Sequence, residues 1–137
     1  MLRSLPWISA LTLLFAATIV ASAQSLLPEN DGERRVFAAM IEMPRGYVSG
    51  VCVMQRSGDE VRASIFNEFG ISALDCIYYP ARDKVKIISV ISLLNRWYVR
   101  RTLRHDLRSL FARMRLGETT YRNERRAVDY RFAPLNE

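Results

Sequence analysis

Apolar and polar positions divide this chain into three kinds of segment. The first is a continuous apolar run from Trp7 to Val20, broken only by Ser9 and Thr12. The second is a series of short segments rich in β-branched and aromatic residues, separated by turn signals. These predict strands at 35–43, 47–55, 61–69, 71–79 and 84–92, with Pro44-Arg45-Gly46, Arg56-Ser57-Gly58-Asp59, Gly70 and Pro80 to Asp83 between them. Four turns about ten residues apart are the mark of an antiparallel meander. The third begins at Asn95, a good helix N-cap. Val99, Leu103, Leu107, Leu110, Phe111 and Met114 follow at steps of three and four, forming one apolar helix face that stops near Gly117. Segments 118–122 and 127–132 then suit a hairpin around Asn123-Glu124. The expected fold class is α+β: a curved antiparallel β-meander, half-barrel-like, covered by one long helix in the C-terminal half and finished by a closing β-hairpin.

The strands do not alternate cleanly between apolar and polar. In the second, Tyr47, Val51 and Val53 face one way and Val48, Cys52 and Met54 the other. The fourth and fifth repeat this. A half-exposed sheet alternates, so both faces are expected to be apolar near the middle. One helix covers one face, leaving the other to a partner, a ligand or the curl of the sheet.

The first apolar run changes the compartment. Arg3 precedes it, and Ala21-Ser22-Ala23 presents small residues before Gln24. That is the build of a secretory signal peptide cleaved near Ala23. The run is short for a span of about 20 apolar residues. The expected organisation is a signal peptide over 1–23, a linker over 24–33 and a single α+β domain over 34–137. No cysteine follows the cut, so the protein is expected to be periplasmic or secreted and not lipid-anchored.

Charge then narrows the partners. Removing Arg3 from the 20 basic residues leaves 19 against 14 acidic ones, a net charge of +5. Outside the cytoplasm the anionic partner is a membrane surface or an acidic glycan rather than nucleic acid. Arg96, Arg100, Arg104 and Arg108 recur every four residues with Trp97 on the same side, the pattern of an interfacial helix. These five residues are the expected contact with anionic lipid.

Catalytic chemistry is thinly represented. His105 is the only histidine, and it falls away from the apolar stripe. One histidine and two separated cysteines do not make a zinc site, and no phosphate loop or nucleophile elbow is present. Neither a metal nor any cofactor is implied. Glu68 and Asp75 could pair as acid and base across a turn. Asp75 shares its face with Ile71, Ala73, Ile77 and Tyr79, and reads instead as half of a structural ion pair with Arg62 as the candidate partner. The chain is read as non-enzymatic. Cys52 and Cys76 fall on the second and fourth strands, roughly 10 Å apart in a meander. A disulfide needs Cα atoms within about 7 Å, so free thiols are expected.

Phe66-Asn67-Glu68-Phe69-Gly70 with Ala73-Leu74-Asp75, and Trp97-Tyr98 with Leu103 and Asp106-Leu107, resemble segments of exported proteins related to the LolA/LolB-like periplasmic lipoprotein carriers. The order of elements is also similar. The resemblance implies a half-barrel that holds acyl chains or lipoproteins on an apolar sheet face, for which Val53, Ile65, Ile77, Tyr79 and Ile87 are the expected lining. The alternative is a structural or protein-interaction module of the bacterial envelope without a lipid ligand.

Overall fold

The structure is a computed structural model and describes residues 24–135. The signal peptide read over 1–23 lies outside the described residues. Seven strands form one antiparallel sheet: β1 (Arg34–Met43), β2 (Gly46–Ser57), β3 (Glu60–Phe66), β4 (Ser72–Tyr79), β5 (Lys84–Val90), β6 (Thr120–Asn123) and β7 (Val128–Pro134). One helix, α1 (Trp97–Met114), follows a 3-10 turn at Ser92–Leu94. The strand order is β5-β4-β3-β2-β1-β7-β6. The first five strands are the expected meander. After the helix, β7 pairs with β1, from Phe37 opposite Pro134 to Glu42 opposite Asp129. The sheet curls into a half-barrel with α1 in its concavity.

Local chemistry sets the turns. Asn67 Oδ1 accepts hydrogen bonds from the backbone N–H of Phe69 (2.9 Å) and Ile71 (3.0 Å), turning the chain between β3 and β4. Gly70 completes that turn at φ +74°. Gly117, at φ +89°, ends the helix, with its N–H on the Met114 carbonyl and that of Glu118 on the Arg113 carbonyl. The helix start differs from expectation. Arg96 occupies the N-cap position without a side-chain cap, and Asn95 Oδ1 instead accepts from Arg100 Nη1 at 3.2 Å.

The concave face is the core. Phe37, Ile41, Met54, Ile65 and Tyr78 of the sheet meet Leu107, Leu110, Phe111 and Met114 of the helix, all essentially without solvent exposure. The Phe111 ring lies 5.3 Å from that of Tyr78 and 6.3 Å from that of Phe132, tying β4 and β7 to one helical residue. The segment read as a linker is part of this packing. Leu27 is buried, and the Leu26 N–H donates to the Met114 carbonyl at 2.9 Å, satisfying one of the helix's terminal acceptors.

The convex face corrects two expectations. Pairing places Val53, Ser64, Asp75 and Ser89 in one row across β2 to β5. That row is polar at its centre, so this face is not apolar throughout. Among the described residues Asp75 has no arginine partner. It accepts hydrogen bonds from the hydroxyls of Ser64, Ser72 (3.0 Å) and Ser89 (3.3 Å). Arg62 stands opposite Ile77 in the register. Three hydroxyls at a partly exposed site solvate a carboxylate well enough that no buried counter-ion is needed.

Candidate functional site

The row of arginines predicted on α1 has a second wall. Because β5 is the edge of the sheet, α1 lies alongside it and no further strand intervenes. Lys84 and Lys86 are two residues apart on β5 and share its convex face, while Arg82 comes from the β4–β5 turn. With Arg100, Arg104 and Arg108 they line a groove of about 700 Å3. Arg101 and His105 complete it on the helix side, and Tyr79, Val85 and Ile87 supply its apolar surface. The Arg82 guanidinium lies 4.4 Å from the Tyr79 ring centroid, which holds it at the groove.

Among the described residues no carboxylate lines the groove. Among the described residues the arginine ion pairs are Arg35–Glu33, Arg113–Glu118, Arg122–Glu124 and Arg122–Asp129, all outside it. Seven cations thus converge with their charge uncompensated. Such clustering opposes folding through self-repulsion and attracts anions.

A second cleft, of about 580 Å3, lies on the other flank of α1 and is formed against the β6–β7 hairpin. Trp97, Tyr98 and Tyr121 give it aromatic walls, and Arg101, Arg125 and Arg126 give it charge. Arg101 and His105 line both openings and form the ridge between them. Of the five residues expected to meet anionic lipid, Arg100, Arg104 and Arg108 are in the first groove and Trp97 is in the second. Arg96 lines neither.

The helix orientation that creates this arrangement is set by a residue the sequence reading passed over. Asp106 is fully buried (0% exposed). Its Oδ2 accepts from the Tyr130 hydroxyl at 2.7 Å, and Asn123 Nδ2 donates to both carboxylate oxygens at 2.9 and 3.1 Å. His105 Nδ1 is 3.4 Å from Oδ1. Burial, then the adjacent Asp106 charge, pushes the Tyr130 phenol well above its ordinary value. The phenol is therefore a firm donor. One carboxylate joins α1 to β6 and β7, so the helix cannot rotate without leaving it unpaired. The available signal was position: Asp106 sits three residues after Leu103 and four before Leu110, inside the apolar stripe, where an acid must have partners. The second missed signal was on β5, where the only two lysines of the chain alternate.

Of the expected acyl-chain lining, Tyr79 and Ile87 meet in the first groove, and Val53, Ile65 and Ile77 do not join them. Ile65 and Ile87 face the concave core, opposite Leu74 and Cys76. Val53, Ile77 and Tyr79 face the convex side, in register with Ser64, Arg62 and Lys84. Glu68 lies exposed in the β3–β4 turn. Cys52 and Cys76 are both buried and free. Among the described residues no three His, Cys, Asp or Glu side chains converge to hold a metal, and no helix is long and apolar enough to cross a membrane.

No protein-family model, curated protein or solved structure matches this chain. These comparisons give the expected likeness to lipoprotein carriers no support. The class that fold and site define is a half-barrel α+β domain with a cationic groove at the sheet edge.

Proposed function

We propose that the protein is an exported, non-enzymatic protein of the bacterial envelope that binds anionic lipid headgroups through the groove between α1 and β5. The observation that carries this reading is the convergence of Arg82, Lys84, Lys86, Arg100, Arg104 and Arg108 with no acid among them. Trp97, 75% exposed, and the neighbouring Leu93 and Tyr98 give the start of the helix an aromatic and apolar tip. Such tips partition into the headgroup layer while guanidinium groups meet phosphates. Binding of acyl chains or lipoproteins on the sheet face is a weaker form of the proposal, because helix side chains already fill the concave face.

The test is cosedimentation with vesicles of phosphatidylcholine, with and without phosphatidylglycerol. Binding to the anionic vesicles is expected, with steep loss at raised salt. Each basic residue near such a surface contributes about 1 kcal/mol, so the triple variant Arg100→Gln/Arg104→Gln/Arg108→Gln is expected to bind about a hundredfold more weakly. Equal binding to neutral vesicles, or a triple variant that binds normally, would overturn the reading.

A second reading, an interaction module, is favoured by one observation. Phe69 is 77% exposed at the β3–β4 turn, and with Tyr47, Val51 and Phe66 it lines a cleft that shares no residue with the arginine groove. Clustered exposed aromatics of this kind mark protein contacts. A stable envelope-protein complex that Phe69→Ser disrupts, together with no vesicle binding, would favour this alternative.

A further inference from the structure

The cleft beside the β6–β7 hairpin adjoins a smaller apolar slot. The slot holds about 190 Å3 between the end of β1, the 3-10 turn, the first half of α1 and β7. Ile41, Met43, Leu94, Val99, Leu103 and Val128 form its walls. Tyr98, Thr102 and Arg126 line the slot and the cleft alike, so the two adjoin. At about 30 Å3 per water-sized group, the slot takes roughly six such groups, the end of one alkyl chain rather than two whole chains. Arg101, Arg125 and Arg126 stand in the adjoining cleft and make no ion pair among the described residues.

We infer that this is a site for a single-chain anionic amphiphile. The chain end enters the slot between α1 and β7, and a compact anionic head meets Arg126 and Arg101 in the cleft. Charge complementarity selects the occupant. An uncharged alkane would leave three cations unpaired, and a bare anion would leave the slot unfilled. Of the rings that line the cleft, Tyr98 also lines the slot and so stands between head and tail, as amphipathic rings do at a boundary between wet and dry. Asp106 supports the site from beneath, since Asn123 of the same cleft is held by its carboxylate. The site lies on the opposite flank of α1 from the headgroup groove. It deepens the lipid-binding reading by naming a ligand class, yet apart from the shared Arg101 it stands on separate residues.

Calorimetric titration of the full chain with decyl phosphate, below its micelle concentration, tests the inference. One equivalent is expected to bind at least about tenfold more tightly than inorganic phosphate, the equivalent of 1.4 kcal/mol. Thr102→Phe fills the slot and is expected to reduce decyl phosphate to the affinity of inorganic phosphate. Arg126→Gln, an exposed change that leaves the core intact, is expected to weaken it about tenfold by removing a charge-assisted contact. The triple groove variant should bind decyl phosphate normally while losing vesicles, so the two readings fail separately. Three results would overturn the inference: several equivalents adsorbed per chain, inorganic phosphate binding as tightly, or unchanged affinity in both Thr102→Phe and Arg126→Gln.

Discussion

The Tyr130 hydroxyl on β7 donates a 2.7 Å hydrogen bond to Asp106 Oδ2 on α1, at a point shut off from water. The sheet's last strand and its only covering helix are thereby locked together by polar chemistry inside an otherwise apolar core. Tyr130→Phe removes this bond but leaves Asn123 on the carboxylate, and is expected to cost about 1–3 kcal/mol. Asp106→Ala strands both donors and opens a void, and is expected to cost more, about 3–5 kcal/mol. Urea unfolding monitored by circular dichroism would measure both. A neutral Tyr130→Phe would remove the lock.

Alkaline pH should weaken the fold. Burial raises the Tyr130 and Tyr78 phenols and the thiols of Cys52 and Cys76, with Cys76 pushed up to about 12. Each group keeps its proton in the folded chain after the unfolded chain has lost it. The unfolded values are about 8.5 for cysteine and 10 for tyrosine. Stability from these groups is therefore fully present below about pH 8, and it falls as pH rises beyond that. Denaturation midpoints from pH 7 to 11 should decline, and Tyr130→Phe should flatten the decline above pH 10. A constant midpoint across that range would contradict the shifts.

The thiols also report strand order. Cys52 on β2 stands opposite Ile65 of β3, and Cys76 on β4 stands opposite Ala63 of the same strand. A whole strand separates them. Neither thiol is exposed. A thiol-specific chromophore at pH 7.5 should label none in the folded protein and two in guanidinium, with or without prior oxidant. A disulfide found by mass spectrometry would require a different sheet.

Gly50 is expected to be irreplaceable while Gly46 is not. A Cβ on Gly50 would clash with the Phe66 carbonyl oxygen and stand 3.2 Å from the Asn67 Cα, at the end of β3. A Cβ on Gly46 meets nothing within 4 Å. Gly50→Ala should cost more than about 3 kcal/mol or abolish soluble expression, while Gly46→Ala should stay within about 0.5 kcal/mol of the parent. Thermal melts of the pair check this, and equal melting temperatures would show that β3 yields at Phe66.

Strand and helix positions were legible because each is written locally. Pro44, Gly58, Gly70 and Pro80 break the chain where strands cannot continue, and the buried helix face is the stripe from Leu103 to Met114 that the 3.6-residue period marks. The arginine row on α1 was legible for the same reason. The groove was only half visible, because its other half, Lys84 and Lys86, lies more than ten residues earlier on a different element.

The sequence by itself determined the order and type of elements, the free thiols of a meander and the cationic flank of the helix. Tertiary structure alone decided which face of each strand is inside. In β2 and β4 both alternating sets contain large apolar residues, so hydrophobicity cannot choose between them. The choice falls to helix packing, which buries Cys52, Cys76 and Tyr78 and turns Val53, Ile77 and Tyr79 outward. The rotation of the helix was equally beyond local reading. It depends on Asp106 finding Tyr130 and Asn123, partners from a hairpin whose strand β7 pairs with the distant β1. A buried carboxylate is tolerated only where its hydrogen bonds are complete, and that condition sets the orientation of the arginines toward the sheet edge.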